Sequence, residues 1–203
     1  YTDQRAFTAN AAHELQTPLA IAINKLELLA EQGGSEEERM NALGEVIAML
    51  ERLTRLNKSL LLLARIENRQ FPDEREVSFA TIAAELLEEF ADLAEHREVK
   101  LEIEVSGDLL LSMDPALART LVTNLLKNAI VHNQAGGSVT VHVEQGLFTV
   151  RNTGEKPLDA DRIFTRFHKE TTADGGTGLG LAIADKLVRK MGGKLAILDT
   201  SNA

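Results

Sequence analysis

The side chains able to do chemistry fall in separate stretches of the chain. One is Ala11-Ala12-His13-Glu14-Leu15-Gln16-Thr17-Pro18-Leu19. An exposed imidazole with a carboxylate beside it can act as a nucleophile, because Glu14 can take or hold the ring proton while the other nitrogen attacks. Ala12, Leu15, Leu19, Ala22, Leu26 and Leu29 step by three and four, which reads as a coiled-coil seam. His13 falls one residue off it, so its ring is expected to face solvent. Thr17 lies one turn along the same helical face. Taken alone, such a histidine is ordinarily a solvated surface residue.

Further on, a helix expected over 115–132 carries Asn124 and Asn128 at i and i+4. Amide oxygens one turn apart can ligate or orient a hydrated Mg²⁺, a hard cation that takes oxygen ligands. Gly175-Gly176-Thr177-Gly178-Leu179-Gly180 then leads into another expected helix. Glycines let backbone approach a polyphosphate, and a helix N-terminus presents N–H groups to it. No strand precedes this run at Rossmann spacing and no Gly-Lys-Ser/Thr occurs, so dinucleotide and Walker-type binding are disfavoured. Val150-Arg151-Asn152-Thr153-Gly154 ends an expected strand at a glycine, and Asn152 offers a base edge both donor and acceptor. In Ile163-Phe164-Thr165-Arg166-Phe167-His168-Lys169, Arg166 and Lys169 could meet phosphates, while the two Phe residues could anchor a loop.

The elements that must position these groups follow two grammars. Residues 1–70 hold one helical pattern broken at Gly33-Gly34, with Ser35 and Glu38 forming a capping box for the second helix. That helix shows an apolar seam at Leu43, Val46/Ile47, Leu50, Leu53, Leu60 and Ala64, with Asn57 inside it. Two antiparallel helices with one narrow stripe each cannot bury it as a lone hairpin, which predicts a homodimeric four-helix bundle. Phe71-Pro72-Asp73 breaks the pattern. Residues 71–203 then mix elements: strand 77–79, helix 81–96, strand 99–105, strand 109–111, helix 115–132, hairpin 138–143 with 147–151, helix 178–191 and strand 194–198. That order predicts a two-layer α/β sandwich and an α+β chain as a whole.

Composition narrows the classes. The formal charge is −9, which argues against a nucleic-acid surface. Cys is absent, removing thiolate catalysis and Cys-based zinc sites. No apolar run is long enough to span a membrane, and the first residues read as helix without an initiator Met, as in a piece of a longer chain.

Together these motifs resemble, over nearly the whole chain, the cytoplasmic core of two-component sensor histidine kinases. His13 to Leu19 is similar to the H box, Asn124 to Asn128 to the N box, Asn152-Thr153-Gly154 to the first glycine box, Phe164 to Phe167 to the F box, and Gly176 to Gly180 to the second glycine box. The resemblance implies a dimerization and phosphotransfer hairpin followed by an ATP-binding domain of the Bergerat type, with a short lid over about Thr165 to Gly175. It further implies Mg²⁺ on Asn128 with Asn124 assisting, adenine read by Asn152, and ATP contacts from His132, Gly154, Arg166, Lys169, Gly176, Thr177, Gly178, Leu179 and Gly180. His13 would attack the γ-phosphate with Glu14 as base, and a response regulator receiver domain would take the phosphoryl group. Thr17 would support regulator dephosphorylation, and the full-length protein would be membrane-anchored with this portion cytoplasmic.

This chain departs from the family pattern at four places. Asn152 replaces an acid, Gln16 an arginine, and Val131 and His132 replace Lys and Tyr. The chain also stops before a last strand expected of the fold. A degenerate, non-catalytic member is disfavoured by the presence of His13, Glu14, Asn128 and the glycines. A stand-alone ATPase of the chaperone or gyrase kind is disfavoured by the His-bearing hairpin and by Asn124 at the position of a water-activating acid.

Overall fold

The computed structural model describes residues 2–32, 35–68, 73–154, 163–165, 167 and 177–197. Two long helices, α1 (Thr2–Gln32) and α2 (Glu36–Glu67), form the antiparallel hairpin. The expected capping box starts α2: Ser35 Oγ accepts from the Glu38 N–H at 3.2 Å, and Glu38 accepts from the Ser35 N–H at 2.8 Å. The Ser35 N–H and the Ser35 hydroxyl, which donates to the same carboxylate oxygen at 3.0 Å, hold the Glu38 carboxyl below its ordinary value. Across the hairpin, Lys25 pairs with Glu45 and Arg52 with Glu14.

The seams differ from expectation in phase. On α2 the buried line is Val46, Leu56 and Leu63, with Met49, Leu53 and Leu60 half-buried between them, an unbroken heptad. Asn57 is exposed and belongs to a second line, Leu43, Ile47, Leu50, Thr54, Asn57 and Leu61, which lies open. Likewise on α1, Ala11, Leu15, Pro18, Ala22 and Leu29 turn inward, while Ala12, Leu19, Ile23 and Leu26 do not. Each helix therefore carries two adjacent seams, and the single stripes read from spacing mixed members of both.

After the hairpin come β1 (Arg75–Ser78), α3 (Phe79–Glu89), α4 (Ala91–His96), β2 (Lys100–Val105), β3 (Leu110–Met113), α5 (Pro115–Val131), β4 (Ser138–Glu144), β5 (Leu147–Asn152) and α6 (Gly180–Lys190). Phe79 is helical where a strand was expected, because Ser78 caps α3 by accepting from the Thr81 N–H. The helix expected over 81–96 is two, parted at Phe90. Residues 194–197 join no ladder, so the expected strand 194–198 is not formed over its described part.

β1 and β3 pair antiparallel as a small ribbon, and the main sheet runs β2-β4-β5. β2 and β4 are parallel, with β3 and α5 in the crossover, whereas β4 and β5 form the antiparallel hairpin. Alternation puts Val139, Val141 and Val143 on the inner face, all fully buried. Against them pack Ala83 and Leu86 of α3 and Val122, Leu126 and Ile130 of α5. The Phe79 ring meets Phe148 edge-on at 5.6 Å. Each buried Leu, Val or Phe contributes roughly 1.5–3 kcal/mol. The mixed α/β domain behind a helical hairpin is the architecture expected from the element order.

Asp108 ties this layer together. Burial pushes its carboxyl up, but hydrogen bonds from the Ser78 hydroxyl and the backbone of Ala80, Leu109 and Phe79 more than offset that and hold it below the usual aspartate value. The bond from the Ala80 N–H, 3.0 Å, satisfies a donor in the first turn of α3. A lowered folded-state value means this stabilisation is complete above the unfolded value and is lost as pH falls through the folded one. Asp108→Ala should therefore lower stability by about 1–2 kcal/mol near neutrality. In urea denaturation the gap from the parent should narrow as pH drops below about 4, and a gap independent of pH would contradict the assignment.

Candidate functional site

His13 is exposed on α1, as expected from its displacement off the seam. Glu14 follows half-buried, 3.7 Å from the Arg52 guanidinium of α2. That contact restrains the carboxylate beside the imidazole. Thr17 donates from Oγ1 to the His13 carbonyl at 3.1 Å, which keeps its hydroxyl oxygen available as an acceptor. Pro18 lies inside the helix and has no N–H for the Glu14 carbonyl, so the ladder of backbone bonds is interrupted within one turn of His13. Leu15 packs onto the main core and anchors the same turn.

The second centre is built by α5 and α6. Asp114 caps α5 by accepting from the Ala116 and Leu117 N–H groups, with Pro115 at the first helical position. Leu117, Leu121, Val122 and Leu126 bury one side of α5, leaving Asn124 and Asn128 half-buried. α6 lies against α5, and Gly180 opens it where a Cβ would sit 3.1 Å from Asn124 Oδ1. A larger residue at 180 would crowd Asn124, which is why glycine suits this close approach. No side chain caps α6, so its first N–H groups are not engaged by a side-chain cap. Leu179 is fully buried and holds the turn down through its side chain. Phe167 donates its N–H to the Gly178 carbonyl at 2.8 Å, linking the F-box segment to the glycine run. Thr177 and Gly178 are half-buried at this junction.

Asn152 ends β5 opposite Val139 and is exposed, with Gly154 two residues on in open surroundings. His132 is the C-cap residue of α5 and is also exposed. Arg166, Lys169 and Gly176, with most of the expected lid, lie outside the described residues. The fold thus brings Asn124 and Gly180 together and sets Asn128 one turn along α5, whereas His13 stands on a separate element. Between the hairpin and the α/β layer, α2 meets α6: Glu67 pairs with Lys186, and Lys190 donates to the Ile66 carbonyl at 3.3 Å.

Residue spacing gave no role to a knot of polar groups behind Asn152. Asn133 Oδ1 accepts from Thr153 Oγ1 at 2.6 Å and from the Gln134 N–H at 2.9 Å. Asn133 Nδ2 donates to the Ser138 carbonyl at 2.9 Å, and the Ser138 N–H donates to Thr153 Oγ1 at 3.0 Å. A Cβ on Gly137 would overlap both Asn133 Oδ1 and Thr153 Oγ1. The paired glycines before β4 were the available signal.

Comparison with known proteins finds a domain family over each of the two parts of the chain. Residues 3–69 match the His Kinase A (phospho-acceptor) domain, and residues 113–203 match the Histidine kinase-, DNA gyrase B-, and HSP90-like ATPase domain. The sensor histidine kinase RppB of Synechocystis is 34% identical over 97% of this chain and 46% of its own length. The sensor protein CutS of Streptomyces coelicolor is 33% identical over 97% of this chain and 50% of its own. Among solved structures, the Acinetobacter baumannii histidine kinase AdeS superposes with a TM-score of 0.75 at 21% identity, covering 93% of this chain and 91% of that one. Histidine kinase ThkA, in complex with response regulator protein TrrA, superposes at 0.76 with 18% identity over 97% of this chain and 58% of that one. At these identities the superpositions speak for the fold. The chain belongs to the sensor histidine kinases of two-component systems, and it spans about half the length of the curated relatives it matches.

Proposed function

We propose that this chain is a protein-histidine kinase core that phosphorylates His13 from ATP and passes the phosphoryl group to an aspartate of a response regulator. The observation that carries this reading is the exposed His13 with Glu14 beside it, in a chain that also sets Gly180 against Asn124. One ring nitrogen bonds the γ-phosphorus, the β–γ anhydride bond breaks with ADP as leaving group, and the proton on the other nitrogen goes to Glu14. Arg52 keeps that carboxylate in place. Asn152 and Gly154 take the adenine end, and Thr177 to Gly180 approach the phosphates with backbone groups, with Arg166, Lys169 and Gly176 adding contacts and His132 flanking the base.

For the cation, the described residues hold no group of three or more His, Asp or Glu arranged to bind a metal ion. The amide oxygens of Asn128 and Asn124 fit Mg²⁺ all the same, since that ion takes its remaining ligands from phosphate and water. Bound there, it would neutralise phosphate charge.

The open seams support a second copy of this chain as the partner of the hairpin: Leu19, Ile23, Ile47 and Leu50 are 46%, 48%, 57% and 46% exposed on adjoining faces. We place the hairpin domain at residues 1–70 and the ATP-binding domain at 71–203. No described helix is long and apolar enough to cross a membrane. In the full-length protein this segment is the cytoplasmic part of a membrane-anchored sensor, a reading supported by the sensor proteins it resembles.

Thr17 has a separate task, orienting water for regulator dephosphorylation. Thr17→Ala should leave His13 labelling by γ-labelled ATP within about twofold while slowing regulator dephosphorylation roughly tenfold or more, as loss of one positioning hydrogen bond predicts. Equal loss of both activities would remove Thr17 from that role.

A further inference from the structure

On the resemblance set out above Asn152 takes the place of an acid, and a carboxamide poses a problem a carboxylate does not. Its oxygen suits the 6-amino group of adenine and its nitrogen suits the 6-oxo group of guanine, so base choice depends on which end of the amide faces the ligand. In the structure Asn152 Nδ2 donates to the Thr153 carbonyl at 3.0 Å. Flipping the amide would oppose two oxygens at that distance. The lock works only if the Thr153 carbonyl is itself held, and Thr153 is the centre of the polar knot.

Its hydroxyl donates to Asn133 Oδ1 and accepts from the Ser138 N–H, and its own N–H donates to the Ser138 carbonyl at 3.1 Å. Asn133 follows the C-cap of α5, the helix that bears Asn124 and Asn128. The knot therefore registers the end of β5 against the end of α5. Glycine at 137 leaves the space it fills.

We propose that Thr153 and Asn133 are positioning residues that hold Asn152 with its oxygen toward the base, so that this amide selects adenine over guanine as a carboxylate would. This rests on the reading of Asn152 as the adenine contact given above. The test is titration of the full chain with ATP and with GTP. Thr153→Val should weaken ATP about tenfold and GTP little, lowering the ratio by about that factor, since one hydrogen bond to the base loses its orientation. Thr153→Ser should restore it. In an Asn152→Asp background, Thr153→Val should leave the ratio unchanged, because either carboxylate oxygen accepts.

An equal loss for ATP and GTP in Thr153→Val, or the same fall in ratio with Asp at 152, would overturn the positioning role. If Thr153→Val does not fold, Asn133→Ala tests the same knot from its other side, with the same expected and contrary results. The underlying adenine reading fails separately: Asn152→Ala with unchanged ATP affinity would remove it whatever Thr153 does.

Discussion

Incubated with γ-labelled ATP and Mg²⁺, the His13→Ala chain is expected to take up no acid-labile, alkali-stable label, a fall on the order of 10³-fold or more because the nucleophile is gone. The effect should be confined to transfer. His13 is exposed on α1, a separate element from α5 and α6, which carry the proposed nucleotide contacts, so ATP affinity measured by titration should be unchanged. Glu14→Gln keeps the imidazole and removes the base, so labelling should persist at a rate lower by roughly 10²-fold or more. The Gln side chain also loses its ionic contact with Arg52, but a pair this exposed contributes little to stability, and the variant should fold normally. Label that survives His13→Ala would place the phosphoacceptor elsewhere.

The second large effect concerns Asn128. With Gly180 giving α6 its close approach to Asn124 on α5, Asn128 is the half-buried amide one turn on, and its proposed work is done through Mg²⁺. Asn128→Ala should therefore weaken ATP binding about 100-fold when Mg²⁺ is present, the scale seen when a supporting metal contact is removed. With EDTA in place of Mg²⁺, parent and variant should bind ATP weakly and alike. A deficit of the same size in EDTA would mean that Asn128 meets the nucleotide directly. Thermal denaturation serves as the control, since Asn128 makes no part of the buried set of α5 and its replacement by Ala favours helix.

Much of the local structure around the candidate residues was legible because the relevant signals are local. The motif residues keep fixed positions along the chain, and the displacement of His13 from the apolar spacing correctly predicted exposure. The capping box of Ser35 and Glu38 and the hairpin of β4 and β5 were equally local, each set by a few consecutive residues. The strand expected over 194–198 was not found over 194–197: these residues join no ladder, although Leu195 packs against the core, so an apolar run alone did not specify pairing. Phe79 went from strand to helix because Ser78 caps there, with Asp108, a residue far along the chain, adding to the same turn.

The amino-acid sequence by itself determined the two grammars of the chain, the order of its motifs, and the residues to which chemistry can be assigned, since helical period, capping and glycine placement act over a few residues. Tertiary structure decided which of two neighbouring heptad lines on each long helix is buried, that Gly180 abuts Asn124, and that Asn133 and Thr153 lock the end of β5 to the end of α5. Those outcomes depend on the phase at which separate elements meet. A seam one residue over has the same spacing, and a hydrogen bond between distant residues leaves no periodicity, so only packing distinguishes them.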